Sequence, residues 1–262
     1  MSECFKRYEK KYLLDEKQYS YIKEKIRDYT VDDVYSEYDL MSIYYDNDSD
    51  ELIRRSVEKP LYKEKLRIRA YVPPKGDDKV QVELKKKYDG IVYKRRTTAT
   101  YRDVLEDIYG CTFTDEQIGR EIGYFLRYHR NLRPKIYTGC HRTSYKGKTD
   151  RDLRITFDED MVYRTKNLCL SKDIHDRSIN DGIIMEIKVN NSMPLWLTKI
   201  LDEAGARPRG FSKVGRAYMK EKEKEHGIIQ NDIYGYIHPD TVPAGDRSQP
   251  GIGIIDFPLL HV

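Results

Sequence analysis

The sequence predicts an α+β fold, a closed antiparallel β-barrel with charged side chains inside it and helices on its outer face. Three observations lead there. Several segments alternate strictly between apolar and charged residues, as in Lys65-Leu66-Arg67-Ile68-Arg69, and a period of two marks a strand with one buried face. Between them lie stretches whose apolar residues recur at helical spacing, each offering a stripe for a sheet to bury. The charged strand faces are too cationic to lie dry, so closing the sheet must give them a wet interior.

The chain has 262 residues, enough for one large domain or two small ones. Lys and Arg number 48 against 44 Asp and Glu, a formal charge of +4. So small an excess gives little support to a general nucleic-acid binder, and none is expected as a partner. Tyr is frequent at 23 residues, which suits strands that separate a core from a polar groove. Cys4, Cys111, Cys140 and Cys169 lie far apart with no CxxC pair, which disfavours thiolate metal sites and a disulfide framework. The opening MSECFKRYEKKYLL is too charged for a secretory signal, and no apolar run reaches the roughly 18–20 residues of a membrane span. A soluble protein of a reducing compartment, without a membrane anchor of its own, is expected.

Residues 4–13 read as a strand with Arg7, Glu9 and Lys11 on one face and Tyr8 and Tyr12 on the other. Asp15 and Gln18 form a capping-box pattern before a helix striped by Tyr19, Ile22, Ile26 and Tyr29. A second strand covers Leu40–Tyr45, and a short helical stretch follows Ser49. From Lys63 to Thr98 the alternation and two polar turns, one at Asp89-Gly90, predict a three-strand meander. Helices follow at 99–109 and 114–129, the second with Ile118, Ile122, Phe125 and Leu126 on one side. Strands resume at Arg133–His141, with polar continuation beyond it, and at Leu153–Asp158 and Ile183–Asn190. Ser192 is placed to cap a helix carrying Leu197, Ile200 and Leu201, and Phe211-Ser212-Lys213 precedes a final charged helix. The domain is expected to span 1–225, with 226–262 an irregular tail packed on it.

Residues 63–96 hold 12 Lys or Arg against five Asp or Glu, so this segment is strongly basic while the remainder is slightly acidic. The inward candidates are Arg7, Glu9 and Lys11; Lys65, Arg67 and Arg69; Glu83 and Lys85; Arg154 and Asp158; and Glu186 and Lys188, with Arg142 less certain in register. Each group taken alone is equally well read as a salt-bridged solvent face. Together they suit a phosphate chain, because Arg and Lys neutralise phosphate oxygens while Glu9, Glu83 and Glu186 can hold Mg²⁺ or Mn²⁺ against them. His129, His141 and His175 form no metal motif, and Tyr44, Tyr45 and Tyr71 read as core or rim.

The passages FKRYEKKYLL, SIYYDN, KEKLRIRAY, VQVELKKK, CHRTSYKG, LRITFDED, IIMEIKVNN and FSKVGRAY resemble, in order and wording, the VTC domain. That family is the polyphosphate-polymerase branch of the triphosphate tunnel metalloenzymes (the CYTH-like superfamily), and the likeness spans about residues 1–225. The resemblance implies a tunnel of about eight antiparallel strands. It also implies transfer of the terminal phosphoryl group of ATP to inorganic polyphosphate, releasing ADP, with Mn²⁺ or Mg²⁺ as cofactor. Lys11, Arg67, Arg69, Lys85, Arg142 and Arg154 match its phosphate-binding residues, Lys94 less surely, with Lys213 near the chain path and Lys188 beside the metal-binding Glu186. Glu9 and Glu83 are additional acid candidates.

The opening register reads Arg7-x-Glu9-x-Lys11 where many tunnel triphosphatases have Glu-x-Glu-x-Lys, which favours chain binding over hydrolysis. A tunnel triphosphatase and a non-catalytic polyphosphate-binding protein remain the alternatives. The nucleotide-base pocket is not legible. Without the membrane helices of the eukaryotic assemblies, the domain is expected to act alone in a microbial cytoplasm or with a separately encoded partner.

Overall fold

The computed structural model describes residues 8–226 except Lys59, Gly90, Asn180, Asp181 and Asn191. Arg7, the glycine of the Asp89-Gly90 turn and the tail beyond His226 therefore lie outside the described residues. In chain order the elements are β1 (Tyr8–Leu14), α1 (Glu16–Lys25) with a 3-10 turn at Ile26–Asp28, β2 (Thr30–Asp46) and α2 (Glu51–Glu58). Next come β3 (Tyr62–Ala70), β4 (Lys79–Tyr88), β5 (Ile91–Thr100), α3 (Tyr101–Asp107) and α4 (Glu116–His129). The chain continues through β6 (Arg133–Gly147), β7 (Arg154–Arg164), β8 (Arg177–Ser178), β9 (Ile183–Val189), α5 (Leu195–Glu203) and α6 (Lys213–His226). The compact unit that carries the sheet ends at Lys222.

One antiparallel sheet runs in the order β1-β9-β7-β6-β2-β3-β4-β5, with β8 paired to β7. This corrects the expected closed barrel. The edges are β1 and β5, and no ladder joins them among the described residues. Like charge explains why they stay apart. Lys10 and Lys11 lie on β1, while Lys94, Arg95 and Arg96 lie on β5, whose stretch Ile91–Arg96 is exposed. Cations on facing edges oppose pairing, and charged edges are a common device against it. The sheet nevertheless curls into a trough. Lys11 on β1 is close enough to Lys65 on β3 and Lys85 on β4 to disfavour their charge.

Alternation puts the apolar halves of the strands on the convex side, under two helical covers. Met41, Ile43, Leu66, Ile68, Val82 and Leu84 pack with Val104 of α3 and Ile122, Phe125 and Leu126 of α4. Tyr12, Leu14, Ile155, Phe157, Met185 and Ile187 pack with Ile22 of α1 and Leu197, Ile200 and Leu201 of α5. On the concave side, Leu40, Tyr44, Ile136, Cys140 and Ile184 meet Ile53 of α2 and Val214 and Ala217 of α6. That third cluster makes an apolar floor beside the charged part of the trough.

The local signals behave as their chemistry dictates. Asp15 accepts from the Gln18 amide at 2.8 Å and Gln18 accepts from the Asp15 amide at 3.2 Å, so the capping box is formed. Tyr29 leaves the α1 stripe and stacks on Trp196 at 4.2 Å. The second strand is longer than its apolar core, because β2 begins at Thr30 in a polar stretch paired with β6. Ser192 does not cap α5; Pro194 holds the N-cap position without a side-chain bond. Among the described residues no helix is long and apolar enough to cross a membrane. Replacing Asp15→Ala removes an N-cap bond and should cost about 1 kcal/mol of stability, read as a lower urea midpoint with an unchanged slope.

Candidate active site

The ladder registers bring charges from distant parts of the chain into direct opposition on the concave face. Lys11 faces Glu186 and Glu9 faces Lys188 across β1 and β9. Arg154 faces Lys188 across β7 and β9. Arg67 lies opposite Tyr44 on one side and Glu83 on the other, and Glu83 in turn faces Arg96. Lys85 lies between Lys65 and Lys94. Opposed residues share a face, so every one of these side chains is delivered to the trough by strand geometry alone.

Three carboxylates organise the cations. Glu186 takes the Lys11 ammonium on Oε1, and its Oε2 lies 3.7 Å from both Arg142 and Lys188. The same ammonium is 3.1 Å from Glu9. Burial would raise the Glu186 carboxyl, but Lys11, Arg142 and Lys188 outweigh it and hold it well below the ordinary carboxylate range. Asp158 is fully buried and accepts both arms of the Arg142 guanidinium, with Nη2 at 2.6 Å, as well as the Lys213 ammonium. Burial again pushes up, and Lys213 and Arg142 pull the carboxyl down further.

Glu83 is the third carboxylate. Arg67 donates to it from Nε at 2.7 Å and Nη2 at 2.6 Å, Lys94 at 2.6 Å and Arg96 at 2.8 Å, with Arg69 at 4.0 Å. Arg67 also donates to the Tyr44 hydroxyl at 2.9 Å, and Arg69 to the Ser42 hydroxyl at 3.1 Å. The guanidiniums are thereby aimed before any ligand arrives.

Other cations are left under-compensated. Lys65 donates to a neutral partner, Ser212 Oγ, at 2.9 Å, and burial followed by Lys85, Lys63 and Arg67 pushes its ammonium well below the usual lysine value. Burial lowers Lys85, aided by Lys11 and Arg67. Burial also brings Lys94 down to about 8 despite Glu83. Cations so lowered by desolvation and by neighbouring cations mark a place where an added anion gains most.

The sequence candidates thus fall into two groups and a rim. Lys11, Glu9, Glu186, Lys188, Arg142 and Lys213 gather around β1, β9 and the start of α6. Arg67, Arg69, Glu83 and Lys94 gather on β3 to β5. Lys85 joins them, because it acts on Glu9 as well as Arg67. Arg154 sits at the rim, half exposed, with Asp33 at 3.1 Å. The ambiguous register at Lys94 resolves with Lys94 and Arg96 both on Glu83, while Arg95 turns outward to Glu121 at 3.0 Å. Sequence reading missed Arg96 and Tyr44 as members of the site. Strict alternation from Lys94 would have found the arginine; nothing local distinguishes Tyr44 from a core tyrosine.

Among the described residues no three His, Cys, Asp or Glu side chains converge on a metal-sized cage. Glu9 and Glu186 nevertheless share one ammonium. Two oxygen-donor side chains, completed by water and substrate phosphates, suit a hard divalent cation. The donor set fits there. Glu83 fits less well, since its oxygens are already taken by guanidinium and ammonium groups.

The VTC domain model matches residues 6–220. The chain belongs to the VTC domain family. It is accordingly an enzyme of the polyphosphate-polymerase type, in the CYTH-like tunnel superfamily and metal-dependent in general terms. No curated protein matches the chain. Similar solved structures include a protein of Pyrococcus horikoshii at 15% identity and TM-score 0.43, covering 82% of this chain and 99% of that one. Another is a candidate adenylate cyclase of Bacillus halodurans at 12% identity and TM-score 0.47, covering 78% and 92%. At these values neither likeness bears on the chemistry of this VTC domain. Lys94 carries charge below pH about 8 and loses it above. Tripolyphosphate binding should therefore weaken as pH rises through that value, and Lys94→Arg should flatten the profile, as measured by calorimetry across pH 6.5 to pH 9.5, roughly spanning the transition.

Proposed function

We propose that this VTC domain transfers the terminal phosphoryl group of ATP to the end of an inorganic polyphosphate chain, releasing ADP. The observation that carries the reading is the row of Lys65, Lys85 and Lys94 on three adjacent strands, each held below the ordinary lysine value by desolvation and by neighbouring cations. A linear polyanion lying along the trough would favour their charged forms and meet Arg67 and Arg69 on the way. Arg142 and Lys213, anchored by Asp158, would meet the same chain further along.

In this mechanism a terminal phosphate oxygen of the accepting chain attacks the γ-phosphorus, and the bond from that phosphorus to the β–γ bridging oxygen breaks, leaving ADP. The attacking oxygen is already anionic, so alignment matters more than a general base. Guanidiniums pre-aimed by Tyr44, Ser42 and Asp158 need little reorganisation as charge develops on the equatorial oxygens. Glu9 and Glu186 would hold Mn²⁺ or Mg²⁺, which supplies charge neutralisation between neighbouring phosphates when bound. Lys11, now shared by both carboxylates, would then be available to phosphate. Arg154 at the rim would receive the chain as it enters or leaves. We assign the enzyme to a reducing microbial cytoplasm, which suits the free thiols of Cys111, Cys140 and Cys169.

Purified protein incubated with ATP and Mn²⁺ should yield ADP and phosphate chains of increasing length by gel-resolved analysis. Orthophosphate without chain growth would assign a triphosphatase instead, and chain affinity without turnover a binding protein. Glu186→Gln should lower metal-dependent turnover on the order of 10²-fold while the thermal midpoint stays near that of the parent. Unchanged turnover in that variant would contradict the role given to Glu186.

A further inference from the structure

Glu83 stands in an unexpected place for an acid. It is 1% exposed, and its two oxygens are shared among cations of the strands on either side. Arg67 grips Oε2 with two nitrogens, while Lys94 and Arg96 hold Oε1. Forked guanidiniums on two oxygens are also the way these side chains hold a phosphoryl group. A buried carboxylate at this point repels the very substrate that its neighbours attract. The β3 arginines have a second anchor each, since Tyr44 and Ser42 also accept from Arg67 and Arg69.

Chain advance gives that repulsion a use. A face carrying Lys65, Arg67, Arg69, Lys85, Lys94 and Arg96 without an internal counter-charge would grip every phosphoryl unit alike. Uniform tight binding adds nothing to the rate of the chemical step and slows each forward movement of a polymer.

We propose that Glu83 is a built-in competitor of the polyphosphate chain: it takes from Arg67, Lys94 and Arg96 contacts that a phosphoryl unit would otherwise make, and so keeps the chain mobile in the trough. Glu83 acts through those three cations and is a positioning residue. The inference rests on the trough being the path of the phosphate chain.

The test compares the full chain with its isosteric, neutral variant Glu83→Gln. Binding and dissociation of fluorescently labelled linear polyphosphate of one length are measured in EDTA, so that metal ligation plays no part. The variant should bind at least about 10-fold more tightly, a change of about 1.4 kcal/mol, chiefly through slower dissociation. Polyphosphate should also raise its thermal midpoint more than it raises that of the parent. Equal or weaker affinity in the folded variant overturns the inference, since that is what a purely structural counter-ion would give. Should Glu83→Gln fail to fold, Glu83→Asp keeps the charge while drawing it back from the β5 cations, and tighter binding is again the expected result. A parent protein that does not bind polyphosphate would overturn the trough reading itself. A parent that binds while neither variant binds more tightly would overturn only the role of Glu83.

Discussion

Lys65, Lys85 and Lys94 lie side by side on three adjacent strands, and Glu83, the acid beside them on the same face of β4, already serves two arginines and Lys94. Desolvation and repulsion among the cations of this face form the constraint to which the surrounding structure is fitted. It requires the apolar halves of the same strands to be covered from outside, which α1, α3, α4 and α5 do. It also makes the concave face receptive to a polyanion, because desolvated like charges gain more from a counter-charge than solvated ones.

The three central carboxylates divide the work. Asp158 is wholly committed to Arg142 and Lys213, so it fixes where those cations stand. Glu186 and Glu9 compete for one lysine, an arrangement that a divalent ion can rearrange at small cost because Lys11 has phosphate to turn to. Glu83 tempers the most basic strands. Buried acids among buried bases are individually weak contributors to stability, and their value here lies in placing charge rather than in holding the fold.

Much of this was legible in the sequence, for reasons that can be named. Strict alternation at Lys65–Arg69 and Val80–Lys85 assigns each side chain to a face, and the structure keeps those faces. The Asp15–Gln18 pair announces a helix start because its chemistry is local. Strand order is not local: β1 pairs with β9, so Lys11 meets a glutamate 175 positions away, and nothing near Lys11 says so. Closure was misjudged because a curled open sheet and a barrel share the same alternation; they differ only in what the two edges do. The start of β2 was missed because Val34 and Tyr35 are exposed within an irregular stretch between Asp32 and Glu37. Asp158 could be placed on the inner face, but its hold on Arg142 depends on the pairing of β6 with β7 around a bulge after Gly139.

The central claim is that cations from opposite ends of one curled sheet act on a single anion. Lys85 and Lys188 test it most directly, since they stand on the second strand from each edge and both bear on Glu9. A double-mutant cycle with Lys85→Met and Lys188→Met, read as tripolyphosphate affinity by calorimetry, should give a coupling energy of at least about 0.5 kcal/mol. Losses that add within about 0.3 kcal/mol, or single variants that bind as the parent does, would mean that the two lysines face separate solvent and that the trough is not one site.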